Sequence, residues 1–345
     1  MNPETIIHAF DDGERDLEPL LEKMGWTSWL GVAELGLLMG SDIVEFLADK
    51  LSDAETATLE LVRARIDGTL SLDQIESALE IARDPETRDL ALEGRLRMER
   101  GLVFFEQGDS ESARDDLSWA ETRLKSVAKA SRDHDISLLN KAAFHLAVDE
   151  SMMALQVHGE ISRHAGHAHE TVAISRLQAA RIYLGFGHMY DAARNAFNAH
   201  AHSMIAKQTE LAVESGAIFV EVSSNFIDDE ADRMADQVLA ATPRSIDEEA
   251  HTLAVHPDDV YGVLEWCIQN TTEGYSGEER PDLRALLMLS KRLDRVDLFA
   301  DLLANPAQIE DAMLAALCAS CVGDDGAEMW TTRLSEMMTL PEYSE

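Results

Sequence analysis

Four stretches of this chain share one spacing of small and aromatic residues, and that spacing limits the fold more than any other feature. The anchor is "GLVFFEQGDSESARDDLSWA", residues 101–120. Small Gly101 precedes aromatic Phe104, Gly108-Asp109 signals a turn, and Ala113, Leu117 and Ala120 follow at helical spacing. Small residues at such points let two antiparallel helices approach closely across a short turn. "AARIYLGFGHMYDAARNAFNA" (179–199) repeats the spacing with Ala180, Tyr183, Gly187, Ala192, Ala196 and Ala199. A weaker copy uses Ala142, His145, Asp149, Ala154, His158 and Ile161. A fourth runs through Phe219, Val222, Phe226, Ala231, Ala235 and Val238 to Pro243. The copies begin at 101, 142, 180 and 219, in steps of 41, 38 and 39.

Self-similarity at a fixed period of this length predicts an all-α solenoid. Composition agrees. Aromatic residues make up only 6% of the chain, while unbranched Ala and Leu dominate its apolar 46%, which favours helices over sheets. "LDQIESALEIA" reads as a second helix one step before the first copy. "LLMLSKRLDRVDLFADLLANP" and "LCASCVGDDGAEMWTTRLSEM" read as later helix–turn–helix units in looser register.

The pattern resembles the tetratricopeptide repeat family. Gly101, Phe104, Gly108, Ala113, Leu117 and Ala120 fit its spacing, as do the six residues from Ala180 to Ala199, and Pro243 stands where that family places its terminal proline. The resemblance covers residues 60 to 243 and fades outside them. Two departures stand out: the family's period is about 34 residues, shorter than here, and its Trp near the start of the first helix is missing. Longer units of this sort are similar to the modules of signal-responsive regulators and large scaffolds. The resemblance implies a right-handed α-solenoid of about seven to eight helix pairs. Residues 1–58, with Trp26 and Trp29, read as an N-terminal helical cap in which Gly40 ends one helix and Ser41 or Asp42 caps the next. Residues 59–243 hold the repeats, and 244–345 continue as C-terminal helical repeats and cap, all one continuous domain. Two longer breaks, 242–259 and 270–282, read as loops, the second as a mobile surface loop.

Net charge is −36, from 65 acidic and 29 basic residues, and only seven of the basic residues are Lys. This lysine-poor acidity resembles that of proteins from extreme halophiles, in which molar salt screens self-repulsion over a Debye length of roughly 3 Å. Such a surface repels nucleic acid and anionic membranes. No basic region followed by an apolar run opens the chain, and "WLGVAELGLLMG" is too short to span a bilayer, so a cytoplasmic protein without membrane contact is expected.

One region departs from the acidity. Residues 141–208 hold six basic and five acidic residues, a balance of +1, while the other 277 carry −37. The same window contains eight of the chain's twelve histidines. Acidity relaxed over one band marks an interface. The tetratricopeptide resemblance implies that first helices line a concave groove, which here takes Met98, Leu102, Phe105, Leu139, Ala143, Leu146, Leu177, Arg181 and Leu184, with Arg194 beside it. Such a groove suits an amphipathic helix or peptide whose anionic group meets Arg181.

The expected function is therefore a non-catalytic adaptor that binds a protein partner. The alternatives are a ligand- or peptide-sensing regulatory module and a ribosome- or RNA-associated factor using the Arg/His turns. DNA binding is not expected, because no helix-turn-helix reader is recognisable. The terminal segment with Trp330, Met337 and Met338 is the expected place for a homodimer contact. His164, His167 and His169, and one repeat later His200 and His202, are placed in inter-repeat turns as polar packing residues rather than metal ligands, since no Cys or HExxH helix accompanies them. Cys318 and Cys321 form a lone CxxC; with Cys267 they read as buried small hydrophobes. No phosphate-binding glycine loop, no GxSxG and no nucleophile–base pair occurs, so neither an enzyme nor a cofactor is expected.

Overall fold

A computed structural model describes residues 3–24, 28–225, 227, 255–273 and 275–338. Among these, the regular structure is eighteen α-helices with three short 3₁₀ turns and no strand. Packing divides the chain into two compact units, Met1–Glu150 and Ser151–Glu345, at a point inside the repeat stretch. Among the described residues, no helix is long and apolar enough to cross a membrane.

The first unit contains α1 (Pro3–Asp11), α2 (Glu18–Lys23), α3 (Leu30–Met39), α4 (Ile43–Leu47), α5 (Asp53–Ile66), α6 (Leu72–Ala82), α7 (Leu90–Glu106), α8 (Ser110–Val127) and α9 (Arg132–Ala147). Gly40, at φ +67°, ends α3, and Ser41 rather than Asp42 then accepts from the Ile43 N–H at 3.3 Å. Reciprocal capping boxes, Ser52 with Glu55 and Ser71 with Gln74, start α5 and α6. Trp29 joins Ile6, Ile7, Leu17, Ile43, Leu47 and Leu79 in a core that extends to Leu96 on α7. Trp26 lies outside the described residues.

The anchor repeat folds as the hairpin α7–α8, with Gly108 at φ +85° in its turn. A Cβ on Gly101 would stand 3.1 Å from Leu117 Cγ and 3.2 Å from the Ala113 carbonyl; one on Gly94 would stand 3.0 Å from Leu124 Cγ. The two contacts run in opposite directions along the pair, so the helices are antiparallel and the glycines set how closely they approach. Charge locks the same pair, because Arg100 donates from Nε and Nη2 to both oxygens of buried Asp116, at 2.6 and 2.9 Å.

The second unit contains α10 (Ser151–Glu160), α11 (His169–Gly185), α12 (Met189–Ala206), α13 (Thr209–Ser223), α14 (Pro257–Thr272), α15 (Pro281–Arg292), α16 (Ala300–Leu303), α17 (Ala312–Ala319) and α18 (Asp324–Met338). α11 and α12 form the other strong copy: Gly187 turns the chain at φ +75°, and Ala180, Ala192, Ala196 and Ala199 are all fully buried. Asp149, in the third copy's equivalent place, also has positive φ, +62°. Phe219 and Val222 of the fourth copy are core residues on α13; Phe226, Ala231, Ala235, Val238 and Pro243 lie outside the described residues. The core joins Phe197, Phe219, Val263, Leu264 and Leu286 to Trp330.

Three expectations change here. His200 and His202 lie inside α12 rather than in a turn, both 0% exposed, because that helix continues to Ala206. The 270–282 break is shorter than expected, since α14 runs to Thr272, and Gly277 is buried with its carbonyl accepting from the Glu310 N–H at 3.0 Å. Trp330 and Met337 are 0% and 2% exposed, and the Trp330 indole donates to the Leu303 carbonyl at 3.1 Å. Both complete this chain's own core, which leaves Met338, 72% exposed, as the surface residue of that trio.

Candidate functional site

The groove residues expected from the sequence are divided between the units. In the first, Met98 is 2% exposed in a cluster with Leu117 and Phe144, while Leu102 and Phe105 pack partly buried against it. The Phe105 ring meets Phe144 edge-on at 5.5 Å. Leu139 is half-buried, Ala143 is exposed, and Leu146 is 40% exposed. In the second, Leu177 is buried and Leu184 packs partly buried on the core. Met98 and Leu177 are thus committed to folding. Arg194 pairs with Asp191 on its own helix at 3.1 Å, and exposed Arg181 forms an ion pair with Glu214 on α13.

That pair leads to a site absent from the sequence reading. α13, α14 and α15 enclose a cleft of about 860 Å³, with Glu214 on its rim. Val213, Ala217 and Ile218 of α13 line it with Leu286, Met288 and Leu289 of α15; Met288 is 59% exposed. Glu210, Glu221, Asp282, Arg280 and Arg292 surround this apolar surface. Arg280 donates to both oxygens of Asp282, at 2.9 and 2.6 Å, which holds that carboxyl below its usual range against the opposing effect of burial. Arg292 is tied to the end of α13 through Asn225 Oδ1, at 3.0 Å, and the Ser224 hydroxyl.

A signal for this cleft does exist in the sequence. Glu210, Val213, Glu214, Ala217, Ile218 and Glu221 recur at three- and four-residue intervals, which places them on one face of a helix. An apolar stripe bordered by acids is ordinarily a solvated helix edge. It becomes a cleft wall only because α15 stands opposite.

The histidines of the neutral band separate into different environments. His164 is exposed, His167 is buried, and His169 begins α11. His169 faces His202, with ring centroids 5.1 Å apart. The His200 Nδ1–H donates to the Ala212 carbonyl at 2.8 Å, and its ring meets Trp266 edge-on. The His158 ring contacts the Ser175 hydroxyl at 3.1 Å. Burial pushes His158 and His200 down to about 4 and His202 to about 3; positive charge from Arg176 adds to this at His158 and His202. These rings are neutral, buried groups at neutral pH.

Cys267 and Cys318 are fully buried, whereas Cys321 lies beyond the end of α17 in a turn and is only half-buried. No family model matches this chain, and no curated protein or solved structure matches it.

Proposed function

We propose that this protein is a non-catalytic helical-repeat adaptor that holds an amphipathic helical segment of a partner protein in the α13–α15 cleft. The observation that carries the reading is the cleft itself: about 860 Å³, with a partly exposed apolar lining and a charged rim. Its volume is within the roughly 300–1,000 Å³ typical of binding clefts. An apolar stripe between two helices accepts the apolar face of a third helix at i, i+3, i+4 and i+7. Glu210 and Glu221 on the rim favour basic residues flanking that face. Positive-φ turns at Gly108, Asp149 and Gly187, in equivalent places of three copies, support a tetratricopeptide-like array.

The apolar lining of the cleft sets the salt response. Apolar contact survives or strengthens in concentrated salt, whereas nucleic-acid binding through phosphates weakens steeply. The test is a photo-crosslinking residue at Met288, with a control at Met338, in the full chain at native salt. Crosslinks from position 288 alone to an apolar, basic-flanked segment of another protein, weakened by Ile218→Asp, support the adaptor. Crosslinks confined to this chain, or none, overturn it.

A further inference from the structure

A second cavity, of about 330 Å³, lies among α10, α11 and α12, within the neutral band. Three arginines line it from three places: Arg163 from the segment before α11, Arg176 from α11 and Arg194 from α12. His164 and Tyr183 add polar groups to the lining. No Asp or Glu lines the cavity, in a chain that carries 65 acidic residues against 29 basic.

The arginines are held in place. Arg176 is buried and donates to the His158 and Ile161 carbonyls at 2.8 and 2.6 Å, satisfying the C-terminal end of α10. Arg163 donates to the His167 carbonyl. Arg194 is pinned to Asp191 at 3.1 Å. Guanidinium groups fixed in this way lose little freedom when an anion arrives. Their field is already felt on the wall, since the charge of Arg176 helps to keep the His158 ring neutral.

We infer that this cavity binds the phosphate group of a small phosphorylated molecule. The positive charge of three fixed arginines suits a phosphate of charge near −2, which offers three acceptor oxygens, better than a carboxylate, which one bidentate arginine satisfies. A volume near the lower end of the small-molecule range leaves room for the phosphate and a compact attached group. The inference is independent of the α13–α15 cleft.

The test is calorimetric titration of the full chain with inorganic phosphate, in chloride at the salt the fold requires, with acetate as a second titrant. Arg194→Gln and Arg163→Gln remove one guanidinium each, and Arg63→Gln, on α5, is the control. We expect saturable phosphate binding that weakens at least tenfold in each cavity variant, is unchanged in the control and exceeds acetate binding. Thermal unfolding of each variant verifies its fold; if one cavity variant unfolds, the other decides. Absence of phosphate binding, equal binding in folded cavity variants, or acetate binding as tightly as phosphate overturns the assignment.

Discussion

His169 Nδ1 lies 2.8 Å from His202 Nδ1, so one ring donates a proton to the lone pair of the other and at least one of the two must be neutral. His202 is wholly buried, and His158 and His200 are buried neutral groups in the same unit.

This arrangement predicts loss of stability in mild acid. In the unfolded chain the three rings titrate near 6.5; folded, they are held near 4, 4 and 3. Between those values the unfolded state binds more protons, so stability is full above about pH 6.5 and falls as pH drops toward 4. Each ring contributes on the order of 1 kcal/mol of loss between pH 7 and 5.5. Urea midpoints at constant salt should decline steadily over that interval. A flat profile would show that the rings are protonated in the fold.

Two helical glycines should respond with opposite signs. Gly101→Val drives a branched side chain into Leu117 and the Ala113 carbonyl, and overpacking of that kind costs about 1–3 kcal/mol. Gly159 has no neighbour within 4 Å of its would-be Cβ, so Gly159→Ala should gain up to ~1 kcal/mol from helix propensity. Denaturant unfolding of both variants tests the pair, and a stable Gly101→Val would mean that α7 and α8 are less tightly apposed.

The three thiols should differ in reactivity. Cys267 and Cys318 are 0% exposed; burial raises both, Cys318 to about 12, whereas Cys321 is only half-buried. Thiolate, not thiol, is the reacting form. Ellman's reagent at pH 8 should titrate one thiol in the native protein and the other two only in denaturant. Rapid reaction of all three would place α14 and α17 closer to solvent.

The two strong helix pairs were legible in the sequence because their determinants are local. Gly108 and Gly187 turn the chain through their own backbone freedom, and Gly101 and Ala180 are small where two neighbouring helices meet. The expected groove fared differently. Helical periodicity shows that Met98 and Leu177 share an apolar face with others, but not that the face is closed by further helices, as their 2% and 1% exposures show it to be. His200 and His202 read as turn residues because histidine has little local preference; the continuation of α12 to Ala206 buries both.

By itself, then, the sequence determined that this chain is helical, where its closest helix pairs lie and which band escapes the general acidity, since spacing, turn chemistry and charge act over a few residues. Tertiary structure alone decided that an acid-bordered stripe on α13 faces α15 across a cleft, and that Arg163, Arg176 and Arg194, spread over 31 residues of sequence, share one cavity. The reason is physical: a side chain's neighbours across a helix interface are set by which faces pack together, and that is a property of the assembled core, not of any local stretch.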